Sequence, residues 1–254
     1  MAITIKSERE IELMAEAGKI LERVHNELEK ALHLGMSTKD IDTLGEKIIR
    51  SYGCIPSFLN YNGYPASICV SVNQEVVHGI PDKHRIIHEG DIVSLDAGVI
   101  YKGYHSDAAR THAVGEVSEE AKKLIQVTKE CFFEGIKYAK AGNHLFDISG
   151  AIGRYAEERG YGVVRDLCGH GIGTALHEAP EIPNYEVGRK GVKLRPGMTL
   201  AIEPMINIGT YEVDWLDDDW TVVTRDGSLS AHYENTILIT EGEPRILSLT
   251  CDNE

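Results

Sequence analysis

Residues 91–114 read DIVSLDAGVIYKGYHSDAARTHAV. An apolar, extended lead-in, a Lys102-Gly103 turn signal and an equally long return predict a β-hairpin. Asp96 lies on the outgoing arm and Asp107 on the returning arm. A loop centred near Tyr101–Lys102 puts them opposite or nearly so. Directly opposed residues have Cβ atoms roughly 4.5–5.5 Å apart. Two ionised carboxylates at that distance repel each other unless a proton or a cation lies between them. The plain alternative is that one or both cap turns or face water.

Helices flank this hairpin on both sides. Ser7–Leu34 carries Ile11, Met14, Ile20, Leu21, Val24 and Leu28 near helical spacing, and Ser7 with Glu10 forms a capping-box pattern. A second helix is expected from Ser37 to Tyr52, stopped by Gly53. Two more are expected from Ser118 to about Lys140 and from Asn143 to Arg159, the latter ended by Gly160 and Gly162. Strands are expected at 163–168, 198–209, 220–225 and 229–240, with Asp226-Gly227 as a hairpin turn between the last two. Gly35-Met-Ser-Thr-Lys-Asp40-Ile41 resembles Gly142-Asn-His-Leu-Phe-Asp147-Ile148, 107 residues later, and the same offset maps Gly53 onto Gly160. Two helix pairs with similar caps would explain this, as would a duplicated α+β half folded about a pseudo-twofold axis, with ligands collecting where the halves meet. No Pro/Gly/Ser-rich linker separates the halves. One fused domain over 1–254 is expected, with halves at roughly 1–115 and 116–254.

Composition narrows the function. The chain has 254 residues, 42% hydrophobic and 26% charged, which is ordinary for a globular protein with a sizeable core. Its 40 acidic against 26 basic residues give a net charge of -14, a poor match for nonspecific binding to nucleic acid or anionic membrane. Five cysteines, Cys54, Cys69, Cys131, Cys168 and Cys251, form no CxxC pair, which fits a reducing cytoplasm and neither a disulfide framework nor a thiolate zinc site. The first residues have no apolar core of a signal peptide, and no run is long enough to span a membrane. A soluble cytoplasmic protein is expected.

Three further positions carry chemistry. His170 sits in Gly169-His170-Gly171-Ile172-Gly173, where alternating glycines let backbone approach a ligand and leave the imidazole uncrowded, and His177 follows. The pattern lacks the spacing of a nucleotide loop. Glu203 stands in LAIEPMINI and Glu234 in AHYENTILI, each a carboxylate inside an apolar, strand-like run. Edge strands facing solvent would explain either one alone. Taken together with Asp96, Asp107 and His170, they suggest four carboxylates in one low-dielectric site, costing several kcal/mol each if unpaired. Two divalent cations would cancel that charge. Oxygen ligands with one imidazole suit Mn, Fe, Co or Zn in a paired site. Such a pair, roughly 3.5–4 Å apart, shares a hydroxide and clamps a tetrahedral intermediate, which is hydrolytic chemistry.

Five ordered segments then carry a family resemblance: NYNGYPASICVSVNQEVVHGIPD, LDAGVIYKGYHSDAARTHAVG, CGHGIGTALHE, RPGMTLAIEPM and HYENTILIT. With them the chain resembles the type I methionine aminopeptidases over nearly its whole length. The resemblance implies the pita-bread fold, an α+β architecture of pseudo-symmetric halves. It implies that Asp107 and Glu234 bridge two metals, that Asp96 completes one, and that His170 and Glu203 complete the other. By the same resemblance His78 lies near the substrate amide, His177 steadies the developing oxyanion, and Glu203 also shuttles a proton. The substrate amine would sit at the metal held by Asp96. The methionine pocket would be formed by Tyr61, Tyr64, Cys69, Leu176 and Trp220, with Phe58 nearby; each alone reads equally as core packing. The chain departs from many members at Leu176, where some have an aromatic residue, and at Phe58, where many have a small one. Backbone carbonyls around Asn73, Glu75 and Ser230 would hold a monovalent cation.

His177 and Glu203 are 26 residues apart, without the helical insertion of type II enzymes, and no zinc-finger extension is present. The compact form looks bacterial. The implied activity is removal of the initiator methionine from nascent polypeptides with a small second residue, by a monomer with no specific nucleic acid as partner. Xaa-Pro aminopeptidases and prolidases share the implied fold and ligands but carry an extra N-terminal domain, for which this length leaves no room. Pita-bread binding modules have lost ligands that are intact here. Arg189, Lys190, Lys193 and Arg195 form a basic cluster that reads first as a solvated loop and second as a contact for the ribosome near its exit tunnel. Asp214 and Asp217–Asp219 form an acidic loop beside Trp220, read first as a solvated turn and second as a lure for a cationic peptide N-terminus.

Overall fold

The predicted hairpin forms from strands Ile92–Tyr101 and Tyr104–Ala113 in a computed structural model that describes residues 3–249. Lys102 and Gly103 both have positive φ, 49° and 87°, so the two-residue turn is of the I′ kind that matches strand twist. Tyr101 therefore pairs with Tyr104, Asp96 with Ala109, and Asp107 with Gly98. This corrects the expected register. The turn is centred on Lys102–Gly103, and the two aspartates are diagonal neighbours, not directly opposed.

Around the hairpin a nine-stranded sheet runs in the order Ile55–Pro56, Ile92–Tyr101, Tyr104–Ala113, Glu234–Leu238, Thr199–Ile202, Gly169–Gly171, Glu178–Ile182, with Ile68–Val72 and Arg245–Ile246 attached to it. Four α-helices are present among the described residues: α1 (Glu8–Ala31), α2 (Thr38–Ser51), α3 (Glu119–Ile136) and α4 (Leu145–Glu157). Ser7 caps α1 in a capping box with Glu10, and Ser37 caps α2 with Asp40. α1 and α3 stop short of the expected Leu34 and Lys140. Gly160, at φ 82°, ends the turn after α4, whereas Gly162 enters a strand. Leu21, Val24, Ile41 and Ile49 pack with Val70, Leu95 and Ala97 in one core. Leu124, Phe132, Ile148 and Ile152 pack with Leu200, Ile202 and Ile237 in another. Each core removes its strands' outer face from water, at roughly 1.5–3 kcal/mol per large apolar side chain.

The repeat glimpsed in the sequence extends to individual hydrogen bonds. Ser37 bridges Ile86 and His144 bridges Lys193, each pair 107 residues on from the other. Gly35 N–H donates to Ile87 O and Gly142 N–H to Leu194 O, at 2.9 and 3.0 Å. Asp91 N–H donates to His88 O, and Met198 N–H to Arg195 O. On the returning strands the offset becomes 125: Val114 N–H donates to Asp91 O, and Ile239 N–H to Met198 O, both at 2.9 Å. Asp107 and Glu234 lie on adjacent central strands, one from each half, so the pseudo-twofold passes between them.

Three strand expectations are corrected. The run 198–209 breaks at Glu203-Pro204: Thr199–Ile202 stays in the large sheet, and Met205–Asn207 leaves for a small one with Ser230–His232 and Gly162–Val163. Proline has no N–H to continue a ladder. The run 229–240 likewise divides around Tyr233, and of the expected 163–168 strand only Val163, in the pair Gly162–Val163, is extended. Asp226-Gly227 does turn, but its flanking strands separate. Val222–Thr224 pairs with Val213–Trp215 and Glu75–Val77, while Ser230–His232 pairs with Met205–Asn207. The Asp226 carboxylate accepts from Thr210 N–H at 2.7 Å and Ser228 N–H at 3.0 Å, tying this turn to a neighbouring loop. Cys54, Cys69, Cys131 and Cys168 are free thiols, and Cys251 lies outside the described residues. No described helix is long and apolar enough to cross a membrane.

Candidate metal centre and cleft

The five expected ligands arrive from five strands or strand ends: Asp96 and Asp107 from the two arms of the hairpin, His170 from Gly169–Gly171, Glu203 from just past Thr199–Ile202, and Glu234 from the start of its strand. Asp107, His170 and Glu234 each place one donor atom within 4.8 Å of the others'. His170 Nε2 is 3.9 Å from Asp107 Oδ2 and 3.6 Å from Glu203 Oε1. The remaining imidazole nitrogen, Nδ1, lies 2.9 Å from Gly171 O. A carbonyl only accepts, so Nδ1 carries the proton and the Nε2 lone pair faces the acids.

All four carboxyls are deeply enclosed, and electrostatics makes the cluster costly by itself. Burial pushes each of them above the usual carboxylate range. The Asp107 charge pushes Asp96, Glu203 and Glu234 further the same way. Burial also lowers His170 to about 3, so the ring is neutral and offers no compensating charge. Asp96 Oδ1, Asp107 Oδ1 and Glu234 Oε1 are buried without any hydrogen-bond partner. Buried acceptors are normally satisfied. Unsatisfied carboxylate oxygens converging with an imidazole lone pair fit a divalent cation centre of mixed oxygen and nitrogen ligation.

Backbone anchors hold these side chains in place. Thr236 Oγ1 accepts from Asp107 N–H and donates to Asp107 O, both at 2.9 Å. Thr111 Oγ1 does the same for His232, again at 2.9 Å. The offset of 125 that relates the returning strands relates Thr111 to Thr236 and Asp107 to His232. Arg110 donates to the Ala109 and Glu234 carbonyls and, at 2.6 Å, to Asn235 Oδ1. Gly169 and Gly171 serve a different purpose from the one expected. A Cβ at Gly169 would lie 2.5 Å from Ala201 O and one at Gly171 2.1 Å from Ala179 O, so these glycines admit neighbouring backbone, not a ligand.

Phe58, Tyr61, Tyr64, Cys69, His78, Leu176, His177 and Trp220 line one cavity of about 220 Å3 together with all five acidic and imidazole candidates. Phe58, Tyr64, Cys69 and Leu176 are buried, forming an apolar end. Trp220 meets the Tyr64 ring edge-on at 5.1 Å and the His78 ring at 6.2 Å. Tyr64 donates its hydroxyl to Gly79 O at 2.9 Å. His177 is exposed at the mouth, with Nδ1 2.7 Å from the Tyr61 hydroxyl and its ring 4.1 Å from that of His170. His78 adopts φ 59°, a left-handed conformation uncommon outside glycine that clusters at functional sites. Burial lowers its pKa to about 4, with His177 adding to the effect, so it is neutral near pH 7.

Asn62, Val77, Leu167, Cys168 and Met205 also line the cavity without having been singled out from the sequence, although all but Leu167 fall within the quoted motifs. His232 was missed too: its Nε2 lies 3.7 Å from Glu203 Oε2. Its signal was position, two residues before Glu234 in HYENTILIT. The basic cluster Arg189, Lys190, Lys193 and Arg195 is exposed and lies outside the cavity. In the acidic loop, Asp214 pairs with Arg225 at 3.0 Å, and Asp218 accepts from Trp220 N–H at 2.9 Å and Thr221 N–H at 2.7 Å. Those two aspartates shape the turn that presents Trp220, which favours the structural reading of the loop.

The profile of Metallopeptidase family M24 matches residues 12–241. The chain is 58% identical over 247 residues to a methionine aminopeptidase of Clostridium acetobutylicum, covering 97% of this chain and 99% of the relative. It superposes on the crystal structure of a methionine aminopeptidase from Thermotoga maritima with a TM-score of 0.96 at 46% identity, covering 98% of this chain and 100% of that one. A Xaa-Pro dipeptidase from Bacillus anthracis gives 0.78 at 27% identity, covering 97% of this chain but 62% of that one.

Proposed function

The chain belongs to metallopeptidase family M24, and on that footing we propose that it is a type I methionine aminopeptidase, a metal-dependent exopeptidase that hydrolyses the N-terminal methionine from proteins and peptides. The observation that carries the reading is the convergence of partnerless buried carboxylate oxygens and one imidazole lone pair at the floor of a cleft with an apolar end.

Asp96, Asp107, His170, Glu203 and Glu234 would hold two divalent cations, Co, Mn, Fe(II) or Zn. When bound, the cations supply Lewis acidity and bring a water's pKa close to neutrality. The chain does the rest. Phe58, Tyr61, Tyr64, Cys69, Leu176 and Trp220 enclose the methionine side chain and exclude water, and an unbranched thioether suits such a wall. Neutral His78 and His177 offer N–H donors to the scissile amide and to the oxygen on which charge develops. That role is typically worth about 10²–10³ in rate per donor. Glu203 accepts the proton of the attacking water and delivers it to the leaving amine. The cleft takes a small second residue. The monovalent cation belongs to the same proposal: Asn73 O already accepts from Ser230 N–H at 2.9 Å, leaving one lone pair for the ion.

In this reading residues 1–115 and 116–254 form one catalytic unit, monomeric and cytoplasmic. It meets nascent polypeptides near the ribosomal exit tunnel without specific nucleic-acid recognition. The decisive assay reconstitutes metal-free protein anaerobically with Fe(II) or Mn(II) and compares Met-Ala-Ser with a Xaa-Pro peptide. Metal-dependent release of methionine from the first alone is the expected outcome. Preference for the Xaa-Pro peptide, or turnover unaffected by chelator, would contradict it.

A further inference from the structure

We propose that His232 is a positioning residue for Glu203: its Nε2–H holds one oxygen of the Glu203 carboxylate and so leaves the other facing the cation site. The inference rests on the reading of Glu203 as a ligand and proton carrier. His232 is almost wholly buried, and neither ring nitrogen has a hydrogen-bond partner in the chain. Its backbone is nonetheless fixed at both its N–H and its C=O by Thr111, the arrangement with which Thr236 fixes Asp107. A buried imidazole left unpaired on a backbone fixed this firmly has a partner still to engage.

Geometry names that partner. Glu203 is bracketed by two imidazoles, with His170 Nε2 3.6 Å from Oε1 and His232 Nε2 3.7 Å from Oε2. The first offers a lone pair, because its proton is on Nδ1. His232 is free to offer a proton, and a carboxylate oxygen accepts it. The separation closes with a small ring rotation, as catalytic hydrogen bonds often tighten only in the loaded enzyme. On its other side His232 borders a second cavity of about 330 Å3, shared with His25, Arg110 and His112 between α1 and α3, yet Nδ1 itself is buried and meets no acceptor there. Among the described residues, the one acceptor close to either ring nitrogen is Glu203 Oε2 beside Nε2, so the proton is set toward Glu203. Fixing one oxygen of a ligating carboxylate is the function that outer hydrogen-bond donors serve at metal sites.

The test uses the metal-reconstituted enzyme with H232L and H232Q, since a glutamine N–H reaches about as far as Nε2. H232L is expected to lower kcat for Met-Ala-Ser by about 10–100-fold with KM changed less than about threefold, and H232Q to recover most of the loss. Calorimetric titration of the metal-free variants with Mn(II) should show weaker binding in H232L and near-normal binding in H232Q. Equal losses in both variants, or none in either, overturn the proposal. A second readout needs no variant to fold. In 15N-histidine-labelled wild-type protein loaded with diamagnetic Zn(II), which keeps Glu203 ionised, the His232 proton is expected on Nε2, and finding it on Nδ1 overturns the proposal. If the wild type releases no methionine, the functional reading fails, while the tautomer still decides the fate of His232.

Discussion

The two halves of the molecule share a backbone and divide the chemistry. Asp96 and Glu203 occupy equivalent places, 107 residues apart, beside the same conserved pattern of turn hydrogen bonds. On the returning strands equivalence fails at the side chain. Asp107 in the first half matches His232 in the second, and Glu234 matches Ala109. The difference teaches that symmetry supplied the framework, two strand pairs meeting at a central axis with a threonine clamp on each, and that departure from symmetry made the site. A perfectly symmetric set would carry two copies of each group. This chain instead sets three acidic side chains and an imidazole around Asp107 and leaves the small Ala109 opposite Glu234.

The most severe way to break the comparison is to make Asp107 neutral. D107N keeps shape and removes the charge the two halves share; metal-dependent methionine release should fall to background, while D226N, in a distant turn, should leave it intact. Full metal-dependent activity in D107N would sink the ligand assignment.

The threonine clamps sharpen the comparison. T236V and T111V each remove paired hydrogen bonds and should cost about 1 kcal/mol per bond in thermal unfolding. T236V should in addition weaken Mn(II) binding by roughly 10–100-fold, because it frees Asp107. T111V, acting through His232, should have a smaller effect on binding. Equal effects on metal affinity would mean that the clamps hold only the fold.

The smallest expected effect is on thermal stability with pH. Burial raises the pKa of all four carboxyls in the folded, metal-free protein. A raised acid pKa leaves stability intact below the unfolded value, about 4, and removes it as pH rises through the folded value. His25, buried away from the acids, is shifted downward by burial and opposes that trend. The gain in Tm on adding Mn(II) should therefore be larger near about pH 7.5 than near about pH 5. A gain independent of pH would place the metal elsewhere.

Much of this was legible in the sequence, for local reasons. Capping boxes at Ser7 and Ser37 and the stop glycines at Gly53 and Gly160 act within a few residues, so helix positions followed from pattern. The site residues followed from ordered motifs, and those assigned as divalent-metal ligands, catalysts or pocket walls line one cavity, while Asn73, Glu75 and Ser230, assigned to a monovalent cation, lie outside its lining. What was not legible depends on distant partners. Asp226-Gly227 makes a strong local turn, yet no nearby residue reveals that Val222–Thr224 and Ser230–His232 join different sheets. The hairpin register turned on whether Lys102 takes positive φ, which is rare for lysine. His232 opens the motif HYENTILIT, but nothing in that position says what its ring would face. Only the folded repeat, which sets it where Asp107 stands in the other half, gives it meaning.

The central claim is that buried acids tolerate one another here because cations replace their protons. Calorimetric titration of the metal-free protein with Mn(II) near neutral pH, repeated in buffers of different ionisation enthalpy, tests it directly. Saturable binding accompanied by net proton release is predicted, with both lost in D107N. No binding, or binding without proton release, would contradict the account.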